Sequence, residues 1–260
     1  MINFKLNKMK KTFKLVATAL VMTGLVSCQQ KAEETAENSS TLKIQDLETP
    51  VTSILTAEEQ ANMTADEIIA RLKKGNENFV SNNLTRRDHS EQRRLAAIGQ
   101  YPKAIVLSCV DSRVPVEDVF DLGIGDIFVA RVAGNIENAA IVGSMEFATA
   151  VAGSKLILVL GHTSCGAVQH AIDNTDAAGL GMDNLQNLLN EIRPVLTRHK
   201  DVEHTSKNVA FTNMIINENI TKTVADIKEM SPTLKKMHED GKIKIIGATY
   251  DMETGQVIFH

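Results

Sequence analysis

Two short clusters of chemically reactive residues each follow an apolar run of strand type, and this arrangement restricts the fold more than any other feature. A Cys-Val-Asp-Ser-Arg motif begins at Cys109, directly after residues 104–108, and a His-Thr-Ser-Cys motif begins at His162, just after residues 155–160. In open α/β sheets, sites form outside the carboxyl ends of strands, where the strand order reverses. If these two strands are neighbours, both motifs open into one crevice.

The two motifs contain the ligand set of a zinc site. Cys109, His162 and Cys165 supply two thiolates and one imidazole. Three protein ligands leave one position of a tetrahedral zinc ion for water, which is typical of catalytic sites. Asp111 and Arg113 add a carboxylate and a fixed cation beside that open position. We therefore predict one zinc ion per subunit, with Asp111 and Arg113 as catalytic residues.

Three other interpretations of these residues stay open. In an exported protein, Cys109 and Cys165 could form a disulfide. The zinc site could be structural, with Asp111 as a permanent fourth ligand. Asp111 and Arg113 could also be an ion pair that only fixes the turn after the strand. The position of His162, three residues before Cys165, favours metal ligation over the disulfide.

Strand-type runs alternate with helical stretches along the rest of the chain. The runs are 104–108, 127–130, 155–160, 243–248 and 257–259, and the helical stretches are 116–120, 139–152, 165–173, 182–197 and 208–230. Runs of Ile, Val and Leu without polar alternation are typical of strands covered on both faces. We predict a single doubly wound α/β domain with a mainly parallel central sheet of four to five strands flanked by helices.

The predicted catalytic domain covers residues 56–260. Thr56 and Thr64 are each followed three residues later by a glutamate, which is the pattern of a capping box at a helix start. Residues 29–55 are polar and acidic with little periodic apolar content, so they are expected to form a flexible tether. The net charge of −4 and the lack of a basic stripe indicate that nucleic acid is not a partner.

Residues 1–28 have the pattern of a lipoprotein-type signal peptide. Lysines between positions 8 and 14 precede an apolar stretch of 12 residues, 15–26, which is too short to span a bilayer as a helix. The stretch ends in Leu-Val-Ser-Cys28, which resembles a bacterial lipobox. We expect Cys28 to carry lipid and to anchor an exported protein in the cell envelope, on the periplasmic or surface side. An ordinary secretory signal is the alternative.

The pairing of Cys-x-Asp-Ser-Arg with His-Thr-x-Cys-Gly resembles the β-class carbonic anhydrases. The resemblance continues through the Arg-Val-Ala-Gly-Asn segment at 131–135 and the Gly-Ala-Thr-Tyr-Asp segment at 247–251. It implies reversible hydration of carbon dioxide to bicarbonate and a proton by zinc-bound hydroxide. In that reaction Asp111 accepts a hydrogen bond from the hydroxide, and Arg113 keeps the carboxylate ionised and aimed.

The resemblance also implies a substrate pocket. Gln100, nine residues before the first cysteine, matches a glutamine that binds substrate oxygen. Phe128 matches a pocket aromatic, and Gly166 matches a position whose backbone lies against the substrate. In the family, part of each pocket comes from the partner subunit, so a homodimer or a larger oligomer is implied.

Some features of the family leave alternatives. One branch closes the site by moving the aspartate onto zinc, and bicarbonate held by a Trp–Arg–Tyr trio stabilises that form. Arg131 matches the arginine, but the chain has no Trp, so Asp111 is expected to stay off the metal at neutral pH and to ligate it only in a closed form. Related folds hydrolyse carbonyl sulfide or carbon disulfide with the same ligands. A non-catalytic lipoprotein that binds zinc or bicarbonate is a further alternative.

Overall fold

The computed structural model describes residues 49–260, which form one five-stranded sheet with helices on both faces. The sheet has the strand order β2-β1-β3-β4-β5. Its strands are β1 (Ala104–Ser108), β2 (Ile127–Arg131), β3 (Leu156–His162), β4 (Lys244–Tyr250) and β5 (Val257–Phe259). The first four are parallel, and β5 is antiparallel to β4. The predicted α/β fold class is confirmed.

Most of the helices lie close to predicted stretches, but those that begin at His89 and at Pro232 were not predicted. The helices are α1 (Ala57–Asn62), α2 (Ala65–Val80), α3 (His89–Ala96), α4 (Val116–Val119), α5 (Ala139–Glu146), α6 (Gly166–Ile172), α7 (Asp183–Ile192), α8 (Val209–Met230) and α9 (Pro232–Glu239). The stretch predicted as one helix over 139–152 changes from α5 to a π-helical turn at Phe147–Val151. Likewise, α7 continues as a 3₁₀ turn at Arg193–Arg198.

The first two helices begin where the capping boxes predict. Thr56 Oγ1 accepts from the Glu59 backbone N–H at 3.2 Å, and the Glu59 carboxylate accepts from the Thr56 N–H at 2.8 Å. Thr64 and Glu67 repeat the same reciprocal bonds. Each box satisfies two of the backbone donors that a helix start leaves free.

Strands β1 and β3 form the buried centre of the sheet, and every residue of both strands is buried. Apolar side chains of α2 and α4 cover one face, and those of α5 to α8 cover the other. The chain leaves β1 through α4 to β2 on one side, and later returns through α5 to β3 on the other side. The strand order therefore reverses between β1 and β3, which makes their carboxyl ends the switch point of the sheet.

The domain begins earlier than the predicted boundary at residue 56. Val51 forms a β-bridge with Arg87, and its backbone bonds to Arg86 and Asp88. Gln92 Nε2 also donates to the carbonyl of Ser53 at 2.9 Å. These hydrogen bonds attach the last residues of the predicted tether to the domain.

The rest of the tether, the predicted signal peptide and Cys28 lie outside the described residues. Within residues 49–260, no helix combines the length and apolar character needed to cross a membrane.

Candidate metal centre

The sheet brings both motifs to one place. Ser108 of β1 lies opposite Leu160 of β3 in register, so Cys109 and His162 emerge side by side at the carboxyl edge. Cys165 follows in the turn that leads into α6. The ligand atoms of Cys109, His162 and Cys165 all lie within 4.8 Å of one another, and all three residues are buried. The side chains therefore converge as a three-ligand metal site requires.

His162 is oriented for metal binding. Its Nδ1 lies 2.9 Å from the carbonyl oxygen of Thr163. A carbonyl can only accept, so Nδ1 carries the proton and Nε2 presents its lone pair. Nε2 is buried and has no hydrogen-bond partner among the described residues. A buried nitrogen lone pair aimed at two sulfurs fits a metal ligand, whose other ring nitrogen is held by a backbone carbonyl.

The two cysteines need a cation before both can ionise. The Cys165 thiol donates to Cys109, and this bond lowers the pKa of Cys109 to about 4 despite its burial. The same bond to Cys109, together with burial and repulsion from the Cys109 charge, raises the pKa of Cys165. The Cys109 thiolate therefore forms readily, and its charge opposes the ionisation of Cys165. A divalent ion in contact with both sulfurs removes this opposition, so the donor set fits zinc.

Asp111 and Arg113 form a two-point ion pair beside the ligands. Arg113 donates from Nε and Nη2 to the two carboxylate oxygens, at 2.9 and 2.7 Å, and its Nη2 also reaches the carbonyl of Ser164 at 3.3 Å. These bonds hold the pKa of Asp111 at about 2. Oδ2 of Asp111 lies 3.8 Å from His162 Nε2. The carboxylate is thus ionised, adjacent to the ligands and held by Arg113, which is the arrangement that the open form needs.

Arg131 fixes the loop that carries Asp111. Its Nε donates to the carbonyl of Cys109 at 2.9 Å, and its Nη2 donates to the carbonyl of Asp111 at 2.6 Å. One planar guanidinium therefore spans the backbone of Cys109 and of Asp111. Arg131, which matches the arginine of the bicarbonate-binding trio by resemblance, thus has a structural role on the backbone of this loop.

The three predicted substrate residues occupy different places. Gly166 follows Cys165 directly, and a side chain built at Gly166 would meet nothing within 4 Å, so the backbone there faces open space next to the ligands. Gln100 is exposed before the amino end of β1. The length of β1, about 17 Å for its five residues, separates it from Cys109. Phe128 pairs with Ile105, three positions before the end of its strand.

Phe128 belongs to a groove that the sequence analysis did not anticipate. It packs edge-on against Phe147, with ring centroids 6.1 Å apart. A groove of about 620 Å³ beside β2 and α5 contains both rings, and half of the Phe147 surface is exposed. The π-helical turn begins at Phe147 and interrupts the regular helix, which helical periodicity alone could not reveal.

Gly134 is a second residue at the site that sequence reasoning did not assign. Its backbone N–H donates to Cys109 Sγ at 3.3 Å. Its φ of +70° lies in the left-handed region, and a Cβ there would come within 2.7 Å of Ile192. The positive φ favours glycine at this position, and a larger residue would also require the Ile192 side chain to shift. The Gly-Asn pair that follows strand β2 was the sequence signal that could have indicated a tight turn at this position.

Comparisons with known proteins agree with this geometry. A family model described as carbonic anhydrase matches residues 104–257. Carbonic anhydrase 2 of Mycobacterium tuberculosis is 33% identical over 189 residues, which cover 72% of this chain and 88% of that protein. Two likenesses show the fold. The tetrameric β-carbonic anhydrases of Sordaria macrospora have a TM-score of 0.58 at 22% identity, covering 64% of this chain and 84% of theirs. The β-carbonic anhydrase CcaA has a TM-score of 0.58 at 24% identity, with coverages of 75% and 93%.

Proposed function

The chain belongs to the β-class carbonic anhydrases, enzymes that hydrate carbon dioxide reversibly, and we propose that it performs this reaction with one zinc ion held by Cys109, His162 and Cys165. The observation that carries the proposal is the convergence of these three ligand atoms within 4.8 Å in a buried position. Zinc bound there supplies a Lewis acid that makes water a nucleophile at neutral pH. The relatives are carbonic anhydrases by name, so hydrolysis of carbonyl sulfide or carbon disulfide and a non-catalytic role are not favoured.

Asp111 orients the nucleophile in this proposal. Its Oδ2 faces the ligand side, 3.8 Å from His162 Nε2, and accepts a hydrogen bond from the attacking water. Arg113 prevents the carboxylate from rotating because it holds both oxygens in a fork. An ionised and immobile acceptor fixes the lone pair of the nucleophile toward carbon dioxide without reorganisation during the reaction.

A second copy of the chain completes the substrate pocket. Gln100 and the Phe128–Phe147 groove lie away from the cluster of their own chain, whereas Gly166 lies beside it. Strand β2 is the edge of the described sheet and pairs only with β1, so its free side can face the same strand of another copy. We therefore infer a homodimer or larger oligomer in which each copy lends Gln100 and Phe128 to its partner. The Sordaria macrospora enzymes are described as tetrameric.

Stopped-flow hydration with a pH indicator tests the activity. The zinc-loaded chain should release protons far faster than buffer alone, and removal of zinc by a chelator should return the rate to that of buffer. Zinc content measured on the same sample separates loss of metal from loss of turnover. A folded, zinc-loaded protein with no rate above buffer would contradict the proposed function.

We further propose that the enzyme is exported and anchored by lipid at Cys28. The support is the lysine-rich start, the short apolar stretch and the Leu-Val-Ser-Cys motif. Cys28→Ser should move the protein from the membrane fraction to the soluble fraction without lowering the hydration rate per zinc. Membrane association that persists in this variant would contradict lipidation at Cys28.

A further inference from the structure

A buried turn behind the metal ligands is held by an asparagine from a distant helix. Asn219 of α8 is 1% exposed and donates from Nδ2 to the carbonyl of Gly134 at 2.9 Å. The Gly134 N–H donates in turn to Cys109 Sγ at 3.3 Å. Hydrogen bonds therefore connect the middle of α8 with the first sulfur of the site through a single glycine.

The turn needs an external restraint. Gly134 and Asn135 are consecutive residues with positive φ, at 70° and 43°. Left-handed conformation is uncommon for a residue other than glycine, although asparagine tolerates it better than most. The backbone bond from Asn135 N–H to the carbonyl of Val132, at 2.9 Å, closes the turn. Among the described residues, Asn219 makes the one side-chain bond to the Gly134 carbonyl, and this bond fixes the peptide that follows Gly134.

The orientation of the Asn219 amide follows from its neighbours. The Gly134 carbonyl can only accept, so the NH₂ group of Asn219 must face it. The opposite atom, Oδ1, is buried without a hydrogen-bond partner among the described residues. The bond from Nδ2 to the Gly134 carbonyl therefore explains why the Asn219 amide is buried in this orientation, although its oxygen has no partner among the described residues.

Hydrogen bonds to a ligand sulfur change what the sulfur offers a metal. An N–H donor withdraws electron density from a thiolate, and groups that contact ligands in this way tune both affinity and electronic character. The Gly134 N–H is such a donor to Cys109 Sγ. Cys109 thus depends on a backbone donor in the turn that Asn219 restrains.

We propose that Asn219 is a positioning residue of the metal centre, which holds the Gly134 carbonyl so that the Gly134 N–H points at Cys109 Sγ. The inference rests on the proposed function, because it treats Cys109 as a metal ligand. Asn219 makes no contact with substrate in this role. It acts through Gly134 on the first sulfur.

Variants at Asn219 and a matched control test this role. Asn219→Leu removes the donor and keeps the volume, and Asn219→Asp keeps the shape but places an acceptor against the Gly134 carbonyl. Thr223→Val is the control, because Thr223 lies one turn further along α8, is fully buried, and its hydroxyl has no partner in the described chain. Each chain is loaded with cobalt for absorption spectroscopy, and zinc affinity is measured by competition with a chromogenic chelator.

Both Asn219 variants should shift the sulfur-to-cobalt charge-transfer band and bind zinc about 10-fold more weakly, while Thr223→Val matches the wild-type chain in both measurements. The amide-proton NMR shift of Gly134 in the zinc-loaded protein should move upfield with the loss of its bond to sulfur. A merely structural role would lower stability and leave the spectrum of the metal-loaded protein unchanged.

Two results would overturn the inference and are distinguishable. If the wild-type chain binds metal and the folded Asn219→Leu variant, which has no donor, shows the wild-type spectrum and affinity, Asn219 does not position the site, and the proposed function stands. If the wild-type chain binds neither zinc nor cobalt, the proposed function fails together with the inference. Asn219→Leu introduces no buried charge, and Asn219→Asp is the second variant for the case in which the first does not fold.

Discussion

The two ends of β1 differ in how much of the site one chain can build. At the carboxyl end, three candidate ligands converge within 4.8 Å and the Asp111 carboxylate is already held by an arginine. At the amino end, Gln100 is exposed and the nearby Phe128–Phe147 groove is open. The register of two adjacent strands fixes the first arrangement, and in the proposed oligomer a second copy of the chain completes the other. Metal binding and substrate binding are therefore separable properties.

The largest effect is expected from removing a ligand at the carboxyl end. His162→Asn keeps an amide N–H where Nδ1 bonds to Thr163 and removes the Nε2 lone pair. The variant should lose zinc, and its hydration rate should fall to that of buffer, because two thiolates alone do not form the site. Metal content and stopped-flow rates measure both losses. His170→Asn, at an exposed histidine of α6, is the matched control and should retain both; a zinc-loaded, active His162→Asn chain would contradict the assignment.

The next prediction separates the contribution of the Asp111 carboxylate to turnover from that of the metal. Asp111→Asn should keep zinc and lower kcat by about 100-fold or more, since an amide can no longer act as an ionised acceptor for the nucleophile. Arg113→Lys keeps the charge but loses the two-point fork, so it should give an intermediate loss. Zinc content and kcat measured on the same preparations test this order. Turnover of Asp111→Asn equal to that of the wild-type chain would remove the proposed role of this carboxylate.

A smaller effect tests whether Gln100, before the amino end of β1, acts in the site of its own chain or in that of a partner. Gln100→Ala should retain zinc and lower kcat/KM about 10-fold, the value of one hydrogen bond. The inference that Gln100 acts in the partner's site predicts complementation. A mixed dimer of Gln100→Ala with His162→Asn contains one site with intact ligands and an intact Gln100 from the other chain.

Hydration by that mixed dimer should therefore exceed the average of the two homodimers, at about half the wild-type rate per dimer. Mixed dimers are prepared by joint refolding and isolated with two affinity tags. If Gln100 acts within its own chain, the mixed dimer contains no complete site and gains nothing. Light scattering that shows a monomer for the active wild-type chain would also contradict the shared pocket.

The sequence predicts the carboxyl end of β1 better than the amino end for a physical reason. Apolar runs define strands, and polar motifs at their ends define candidate ligands, so Cys109, His162 and Cys165 could be placed before any coordinates. The resemblance named Gln100 and Phe128 but could not show that they lie away from the cluster of their own chain. Phe147 was missed because a local π-turn aims it at the groove, a change that no periodicity encodes.

Gly134 and Asn219 show a related limit. Their contact joins residues 85 positions apart. Gly134 lies in the 131–135 segment of the resemblance, but neither residue was assigned to a ligand contact. The positive φ that favours glycine and the nearby Ile192 are revealed only by the packed structure. The predicted start of the domain, at residue 56, lies too far along the chain for a similar reason. Val51 belongs to the fold through backbone hydrogen bonds, which an apolar pattern does not reveal.

The smallest effect on the hydration rate is expected from a substitution of Asp121 toward the amino end. This residue stabilises the fold and takes no part in the proposed reaction. Its carboxylate accepts from Asn78, Thr85 and Arg87 at 2.6–3.0 Å, and its side chain is 3% exposed. Asp121→Asn breaks this buried pair and should lower the free energy of unfolding by about 3 kcal/mol, while kcat per zinc stays unchanged. Urea unfolding and stopped-flow hydration measure the two quantities. Asp118→Asn, at an exposed residue of α4, is the control and should change neither.

The pH dependence of the Asp121 effect has a definite sign. Burial alone would raise the pKa of Asp121, but the bonds from Asn78, Arg87 and Thr85 outweigh it and lower the pKa below its ordinary value of 3.8. A group with a lowered folded-state pKa stabilises the fold above that ordinary value and loses its contribution as the pH falls through the folded-state pKa. The difference in unfolding free energy between the wild-type chain and Asp121→Asn should therefore stay constant from neutral pH down to about 4 and shrink below it. A difference that grows on acidification would show that Asp121 does not stabilise the fold as a carboxylate, and the separation of stability at Asp121 from catalysis at the carboxyl end of β1 would lose its support.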